Sequence, residues 1–202
     1  MQEHQCSEFN MKECPKIYLG MRTHGQIQQM LKELKKTVYS EVPMTILGSR
    51  EQTCIHPIVS KSNNKNQDCQ ELNNPRSIEG ERCEFRDGQD LPSHLNLRNY
   101  LGLFEAWDLE DLVKVGKEVK ACPYYVTKEL KNSAQLIICP YNYLIDPKIR
   151  ESMKIDLKGQ VVVLDEAHNI ENCAREAASY NFDSKTVTDA MNDCEKMARQ
   201  QV

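Results

Sequence analysis

An apolar run that ends in two acidic residues is the feature that most constrains the fold. Val161–Leu164 are four consecutive apolar residues, and Asp165 and Glu166 follow them directly. A run of this length predicts a strand buried on both faces, as in a parallel sheet covered by helices. The two acidic residues would then lie at the carboxyl end of that strand, which is the edge where open α/β sheets bind ligands.

The tetrapeptide Asp165-Glu166-Ala167-His168 makes this stretch a candidate nucleotide site. One carboxylate at such an edge can hold Mg²⁺ on a nucleotide, and its neighbour can orient the attacking water. Acid pairs also occur in solvated turns after strands. The full tetrapeptide after an apolar run nevertheless favours the Walker B motif of a nucleotide-driven helicase.

The motif that would cradle the phosphates of ATP does not occur in the 202 residues. The single Gly-Lys pair, Gly116-Lys117, is followed by Glu118 and lacks the earlier glycine of Gly-x4-Gly-Lys-Ser/Thr. We therefore expect this chain alone not to hydrolyse ATP.

The remaining pattern alternates strands and helices. Three further strands are predicted at residues 16–20, 44–47 and 136–139, and the predicted helices cover residues 26–39, 108–119, 124–132, 171–178 and 184–200. This alternation predicts an α/β fold with a parallel sheet. Residues 1–15 show no periodicity and are predicted to be a disordered lead-in.

A polar stretch at residues 51–99 interrupts this pattern and carries cysteines. Its composition cannot bury enough apolar surface to order itself unaided, which predicts a small insertion stapled by a metal or a cluster. Four cysteines, with gaps of 15, 14 and 39 residues, are the candidate ligands: Cys54, Cys69, Cys83 and Cys122. Spacing alone leaves three possibilities open, namely an iron–sulfur cluster, zinc with His56 or His94, and unrelated buried thiols. Three other cysteines are expected in the core: Cys139, Cys173 and Cys194.

Composition places the chain in a reducing compartment and gives no sign of a membrane span. Nine cysteines occur without a secretory signal, and no apolar stretch approaches the length of a transmembrane helix. The net charge of −4 argues weakly against a free-standing nucleic-acid-binding protein, but a local basic groove remains possible.

Two weaker patterns indicate contact with nucleic acid. Arg22, Thr23 and His24 lie between a predicted strand and a predicted helix, where a guanidinium, a hydroxyl and free helix N–H groups suit a phosphate. Taken alone, however, this pattern favours an ordinary helix cap. A cationic and stacking surface for single-stranded nucleic acid could be formed by Arg50, Lys128, Trp107, Tyr124 and Tyr125.

Taken together, these segments resemble the iron–sulfur superfamily 2 DNA helicases of the xeroderma pigmentosum group D-like family. The resembling segments come in family order and with family spacing. They are Lys-Ile-Tyr-Leu-Gly-Met-Arg-Thr-His at 16–24, Val-Pro-Met-Thr-Ile-Leu at 42–47, Cys-Ile-His-Pro at 54–57, Ala-Trp-Asp at 106–108, Ala-Cys-Pro-Tyr-Tyr at 121–125, Cys-Pro-Tyr-Asn-Tyr-Leu at 139–144, Ile-Arg-Glu-Ser-Met at 149–153, and 161–180. Within the family the likeness is strongest to the Fanconi anaemia group J branch, with the telomere-elongation helicases next.

The resemblance implies a domain plan: part of helicase domain 1, a RecA-like parallel sheet, at residues 16–50 and 124–170, an iron–sulfur insertion at 51–123, and the start of an arch domain at 171–202. It implies that Cys54, Cys69, Cys83 and Cys122 bind a [4Fe–4S] cluster.

The resemblance also implies roles for the other candidate residues. Asp165 would hold Mg²⁺ on ATP, Glu166 would activate the water, and His168 would couple hydrolysis to movement. The implied DNA contacts are Arg22, Thr23, His24, Arg50, Tyr124 and Lys128.

The activity that the resemblance implies is ATP-dependent 5′ to 3′ unwinding of DNA in nuclear DNA repair. The implied partners are single-stranded and forked DNA and DNA-repair proteins, and no membrane. Because the P-loop motif is missing, the chain is expected to be an inactive fragment of such an enzyme. The alternative is a stand-alone cluster- or zinc-containing module that binds DNA or a partner without hydrolysing ATP.

Overall fold

A computed structural model describes residues 14–74, 82–86, 106–179 and 184–199. The strands are β1 (Ile17–Met21), β2 (Met44–Ile46), β3 (Leu136–Pro140) and β4 (Val161–Leu164). The α-helices are α1 (His24–Leu34), α2 (Arg50–Thr53), α3 (Lys65–Leu72), α4 (Leu109–Glu118), α5 (Pro123–Ser133), α6 (Asn142–Ile145), α7 (Pro147–Ser152), α8 (Ile170–Ala178) and α9 (Ser184–Arg199). Short 3₁₀ turns cover Val59–Lys61 and Ala167–Asn169.

The strands form one parallel sheet in the order β2-β3-β1-β4. In its register, Leu19 of β1 lies opposite Ile138 of β3 and Val163 of β4. Each parallel pair requires a crossover connection, and helices supply it. The predicted α/β fold with a parallel sheet is confirmed.

The two faces of the sheet are covered by different helices. Ile138 belongs to a cluster with apolar residues of α1, α4 and α5, whereas its neighbours Ile137 and Cys139 belong to a cluster with residues of α6 and the segment after α7. This division follows from the alternation of side chains along a strand. Helix α5 contributes to both clusters, through Val126 to the first and Tyr124 to the second.

Strand β4 departs from the expectation of burial on both faces. Val161, Val162 and Val163 are 43%, 41% and 44% exposed. Among the described strands β4 pairs only with β1, so it forms an edge of the sheet. An apolar run predicts neighbours on both sides, and the described residues supply one side only; for this chain the prediction of a fully buried strand is wrong.

The sequence did not predict the short helices α2, α3, α6 and α7. Other differences concern helix ends and cysteine burial. The first helix ends at Leu34 rather than near residue 39, and turns follow it. Cys139 is fully buried as expected and Cys173 is partly buried, but Cys194 is exposed because α9 is exposed along its whole length. The predicted disordered lead-in lies almost entirely outside the described residues. None of the described helices is long and apolar enough to cross a membrane.

Candidate functional site

The carboxyl ends of three strands bring the first group of predicted residues to one edge. Arg22 directly follows β1, Tyr141 follows β3 and Asp165 follows β4. The strand ladder continues into these positions, because the Asp165 N–H donates to the Gly20 carbonyl (3.0 Å) and the Tyr141 N–H donates to the Met21 carbonyl (3.0 Å). The sheet register therefore fixes how close these residues lie.

Asp165, Glu166 and His168 form an open acidic turn at this edge. All three are exposed, and Glu166 adopts the left-handed conformation (φ 54°, ψ 44°) that turns the chain into the 3₁₀ segment. The backbone N–H and Nδ2 of Asn169 donate to the Glu166 carbonyl at 3.1 and 3.3 Å. His168 Nδ1 lies 3.4 Å from Glu166 Oε2. Two solvent-facing carboxylates on a turn held in this way are suited to a hydrated Mg²⁺ and to an attacking water.

Tyr141 is a polar residue at this edge that the sequence reasoning did not select. It is only 2% exposed, and its hydroxyl has no hydrogen-bond partner among the described residues. Burial raises the pKa of its phenol, and the nearby Asp165 carboxylate raises it further. Its position after β3, matching that of Arg22 after β1, is the signal that could have found it.

The segment 22–24 combines a helix cap with an open pocket. Thr23 caps α1, since its Oγ1 accepts from the Gln26 N–H (3.3 Å) while Gln26 Oε1 accepts from the Thr23 N–H (3.0 Å). Arg22 and His24 line, together with Tyr141, a pocket of about 500 Å³. Burial lowers the pKa of His24. The cap satisfies only part of the first turn of α1, so further N–H groups of this turn are left for an anion.

The four predicted cysteines come together around one pocket. Cys54 ends α2, Cys69 lies within α3, Cys83 belongs to the segment 82–86, and Cys122 begins α5. The Cys122 N–H donates to the Phe85 carbonyl (2.7 Å), which ties two of these segments together. Residues separated by up to 68 positions in sequence thus line one pocket.

The side chains that line this pocket are soft metal donors. Within the described ranges, no three His, Cys, Asp or Glu side chains are close enough to hold one metal ion. In a four-iron cluster each thiolate binds a different iron, so its sulfurs lie farther apart. The pocket lining contains the four thiols and His56 but no Asp or Glu, a soft donor set that favours iron–sulfur chemistry or zinc.

One of the two histidines predicted for a zinc site already has a ring nitrogen engaged by the backbone. His56 Nδ1 already accepts from the backbone N–H groups of Ile58 (3.3 Å) and Val59 (3.2 Å). His94 lies outside the described residues. Burial raises the pKa of Cys54 and Cys83, and raises that of Cys122 to about 11, so any metal must displace protons from these thiols.

The three predicted DNA-contact residues next to this pocket pack against one another. The Arg50 guanidinium lies 4.0 Å from the centre of the Tyr124 ring, and Lys128 Nζ lies 5.5 Å from it. Tyr124 is buried, with its hydroxyl 3.5 Å from Met153 Sδ, and Lys128 donates to the Ser152 carbonyl (2.7 Å). Trp107, which the sequence also suggested for stacking, is a buried core residue.

Comparison with known proteins gives the family. The model of the DEAD_2 family matches residues 19–187. The chain belongs to the DEAD_2 family. It is 50% identical over 190 residues to a Fanconi anemia group J protein homolog of Gallus gallus, covering 93% of this chain and 15% of that protein. It is 42% identical over 183 residues to a regulator of telomere elongation helicase 1 homolog of Drosophila mojavensis, covering 89% of this chain and 17% of that protein.

The DEAD_2 match includes every candidate residue of the sheet edge and of the cysteine pocket. Within this family the sequence of the chain is similar to group J and telomere-elongation proteins, the two branches that the resemblance named. In fold it is similar to a solved XPD helicase, with a TM-score of 0.51 at 22% identity, over 80% of this chain and 26% of that one. The chain spans about one-sixth of the length of the curated relatives named above.

Proposed function

We propose that this chain is the Walker B and cysteine-pocket part of an ATP-dependent 5′ to 3′ DNA helicase that acts in nuclear DNA repair. The observation that carries the proposal is the sheet edge, where Asp165 and Glu166 end β4 beside the pocket lined by Arg22 and His24. A site that hydrolyses ATP and a site that binds a nucleic-acid backbone would then lie at the same edge of one sheet.

The acidic turn supplies the hydrolytic part of the proposal. Asp165 would hold Mg²⁺ on ATP through water, and Glu166 would orient and polarise the attacking water. His168 Nδ1 lies 3.4 Å from Glu166 Oε2. Through this contact His168 would couple ATP hydrolysis to movement of the enzyme. The 202 residues contain no Gly-x4-Gly-Lys-Ser/Thr motif, so hydrolysis would require a phosphate-binding loop from elsewhere in the enzyme.

Basic and polar residues at two places in the fold would make the DNA contacts of the proposed helicase. Arg22, Thr23 and His24 would contact backbone phosphates with a guanidinium, a hydroxyl and the first N–H groups of α1. Arg50 and Lys128 would form the basic surface beside the cysteine pocket, close to where the strands of a fork separate, and the buried Tyr124 would support Arg50 from below. The expected partners are single-stranded and forked DNA and DNA-repair proteins.

The four cysteines would hold a [4Fe–4S] cluster with one thiolate on each iron. Such a cluster would cross-link α2, α3, the segment 82–86 and α5 covalently. That cross-linking would order an insertion whose sequence is too polar to order itself.

A chimera tests the catalytic part of the proposal directly. In the Gallus gallus group J homolog, the segment that matches this chain would be replaced by residues of this chain, and DNA-stimulated ATP hydrolysis and fork unwinding would be measured. The account predicts an active chimera, and a loss of hydrolysis of about 100-fold or more in Glu166→Gln, because the general base is removed.

The matched control is Glu171→Gln, which removes a carboxylate from the exposed start of α8. The control chimera should hydrolyse ATP and unwind DNA at the rate of the unsubstituted one. Equal rates in the Glu166→Gln and unsubstituted chimeras would exclude Glu166 as the base. A folded chimera that binds ATP and DNA but hydrolyses nothing would contradict the proposal as a whole.

The absence of a P-loop motif from the sequence favours a second candidate function, a DNA-binding module without ATPase activity. Under this alternative the 202-residue chain binds DNA, and the chimera fails in hydrolysis while retaining DNA affinity.

A further inference from the structure

Cys69 differs from the other three pocket cysteines in its backbone setting. Cys54, Cys83 and Cys122 lie at the ends of elements or in a turn, where the chain folds back on the sulfur. Burial raises the pKa of these three thiols, while the backbone N–H groups of the following residues act to lower it: His56 for Cys54, Phe85 and Arg86 for Cys83, and Tyr124 and Tyr125 for Cys122.

The backbone N–H groups that follow Cys69 cannot approach its sulfur in this way, because Cys69 lies in the middle of α3. In an α-helix each N–H points back along the axis to the carbonyl four residues earlier. The N–H groups that follow Cys69 are therefore directed at earlier carbonyls, and that of Asn73 donates to the Cys69 carbonyl itself (3.2 Å). A hydrogen bond to the Cys69 sulfur has to come from a side chain.

Asn73 provides this donor. Its Nδ2 lies 3.5 Å from Cys69 Sγ and 2.7 Å from the Cys69 carbonyl oxygen. The side chain is buried, and its Oδ1 has no hydrogen-bond partner among the described residues. Rotating the amide by 180° would bring that oxygen against two acceptors, so the carbonyl bond fixes the N–H group towards the sulfur.

The position of Asn73 is held from a second side. The Arg86 guanidinium, three residues after Cys83, donates to the Asn73 carbonyl (3.3 Å). Asn73, whose side chain donates to Cys69 Sγ, is thus hydrogen-bonded to the segment that carries Cys83. This link makes Asn73 part of the pocket wall, which it lines together with all four cysteines.

We propose that Asn73 is a positioning residue for the cluster, and that its side-chain N–H donates to the Cys69 thiolate in place of the missing backbone donor. This inference rests on the cluster assignment made under Proposed function. Reduction adds negative charge to a cluster and its thiolates, and a hydrogen bond to sulfur stabilises the more negative state. Asn73 should therefore raise the reduction potential and slow the loss of iron.

The experiment compares Asn73→Leu, Asn73→Asp and the unsubstituted 202-residue chain, each purified without oxygen. Leu keeps the approximate size and removes the donor, whereas Asp keeps the shape and adds a negative charge. The midpoint potential, measured by electron paramagnetic resonance during redox titration, should fall in the order wild type, Leu, Asp. Iron release to a chelator should be about 10-fold faster in Asn73→Leu, in line with other groups that orient metal ligands.

The matched control is Gln70→Leu, which removes an exposed amide from the same helix. It should keep both the potential and the rate of iron release of the wild type. A potential unchanged in both Asn73 variants, or iron release as slow as in Gln70→Leu, would overturn the role of Asn73. If neither variant keeps iron long enough for titration, the release rates decide. A wild-type chain without iron would instead refute the cluster, and with it this inference.

Discussion

Arg50 connects the elements that carry the cysteines. Its two terminal nitrogens donate to Asn66 Oδ1 on α3 (3.2 Å) and to the Tyr125 hydroxyl on α5 (3.4 Å), while the guanidinium plane lies over Tyr124. Arg50 itself begins α2, so a single side chain joins three helices around the pocket. The fork shape of the guanidinium makes this possible, and an ammonium group cannot reproduce it.

We predict that Arg50→Lys lowers the free energy of unfolding by about 1–2 kcal/mol, because one or both of these hydrogen bonds and part of the stacking are lost. Urea denaturation of the chain purified without oxygen, with its cluster bound, measures this change. Arg175→Lys, which alters an exposed pair with Glu171, is the control and should change stability by less than about 0.5 kcal/mol. Equal effects of the two substitutions would show that Arg50 acts only as a charge.

At the scale of elements, the contact of α4 with α5 determines where Cys122 lies. Gly116 of α4 faces the loop into α5 so closely that an added Cβ would lie 2.6 Å from the Ala121 carbonyl oxygen and 2.7 Å from Pro123 Cγ. The Ala121 N–H also donates to the Gly116 carbonyl (2.9 Å). The absence of a side chain at Gly116 thus sets the path of the residues on both sides of Cys122.

Gly116→Ala should therefore destabilise the chain by roughly 1–3 kcal/mol through overpacking, although alanine favours a helix more than glycine does. Its urea midpoint, compared with that of Gly25→Ala, tests this expectation. An added Cβ at Gly25 meets only Thr23 Oγ1 at 3.9 Å, so this control should be neutral or slightly stabilising. A stabilising effect of Gly116→Ala would show that the loop relaxes freely.

Hydrophobic periodicity predicted most of the elements that flank the sheet but missed α3. This helix has one buried residue, Cys69, so no apolar stripe marks it in the polar stretch 51–99. Its signal is instead the Asn64 cap, whose Oδ1 accepts from the Gln67 N–H (3.3 Å). The cysteine spacing could not predict the shared pocket either, because the positions of α2, α3 and α5 rather than sequence distance bring the sulfurs together.

At the scale of the whole molecule, β4 leaves one edge of the sheet open among the described strands. Its valines alternate between the two faces, and all three are more than 40% exposed. The strand therefore offers unpaired backbone groups and apolar side chains in one place, which favours pairing with another strand.

We predict that the isolated chain self-associates through β4, and that Val162→Lys shifts it towards monomer, because a lysine on an edge strand opposes pairing. Sedimentation velocity over a range of concentrations measures the shift. Val187→Lys is the matched control, since Val187 is 46% exposed but lies on helix α9. A comparable shift in both variants would attribute the association to general apolar surface, and a monomeric wild type would contradict the prediction.

The assignment of the cysteine pocket is the claim on which most of the account depends, and metal content tests it most directly. The chain would be purified without oxygen, and its absorbance spectrum and its iron, sulfide and zinc contents determined for the wild type, Cys83→Ser and Cys194→Ser. Cys83 lines the pocket, whereas Cys194 is exposed on α9. The account predicts a brown protein with about four irons and four sulfides per chain, retained in Cys194→Ser and lost in Cys83→Ser. A colourless wild type with one zinc per chain, or iron that survives in Cys83→Ser, would contradict it.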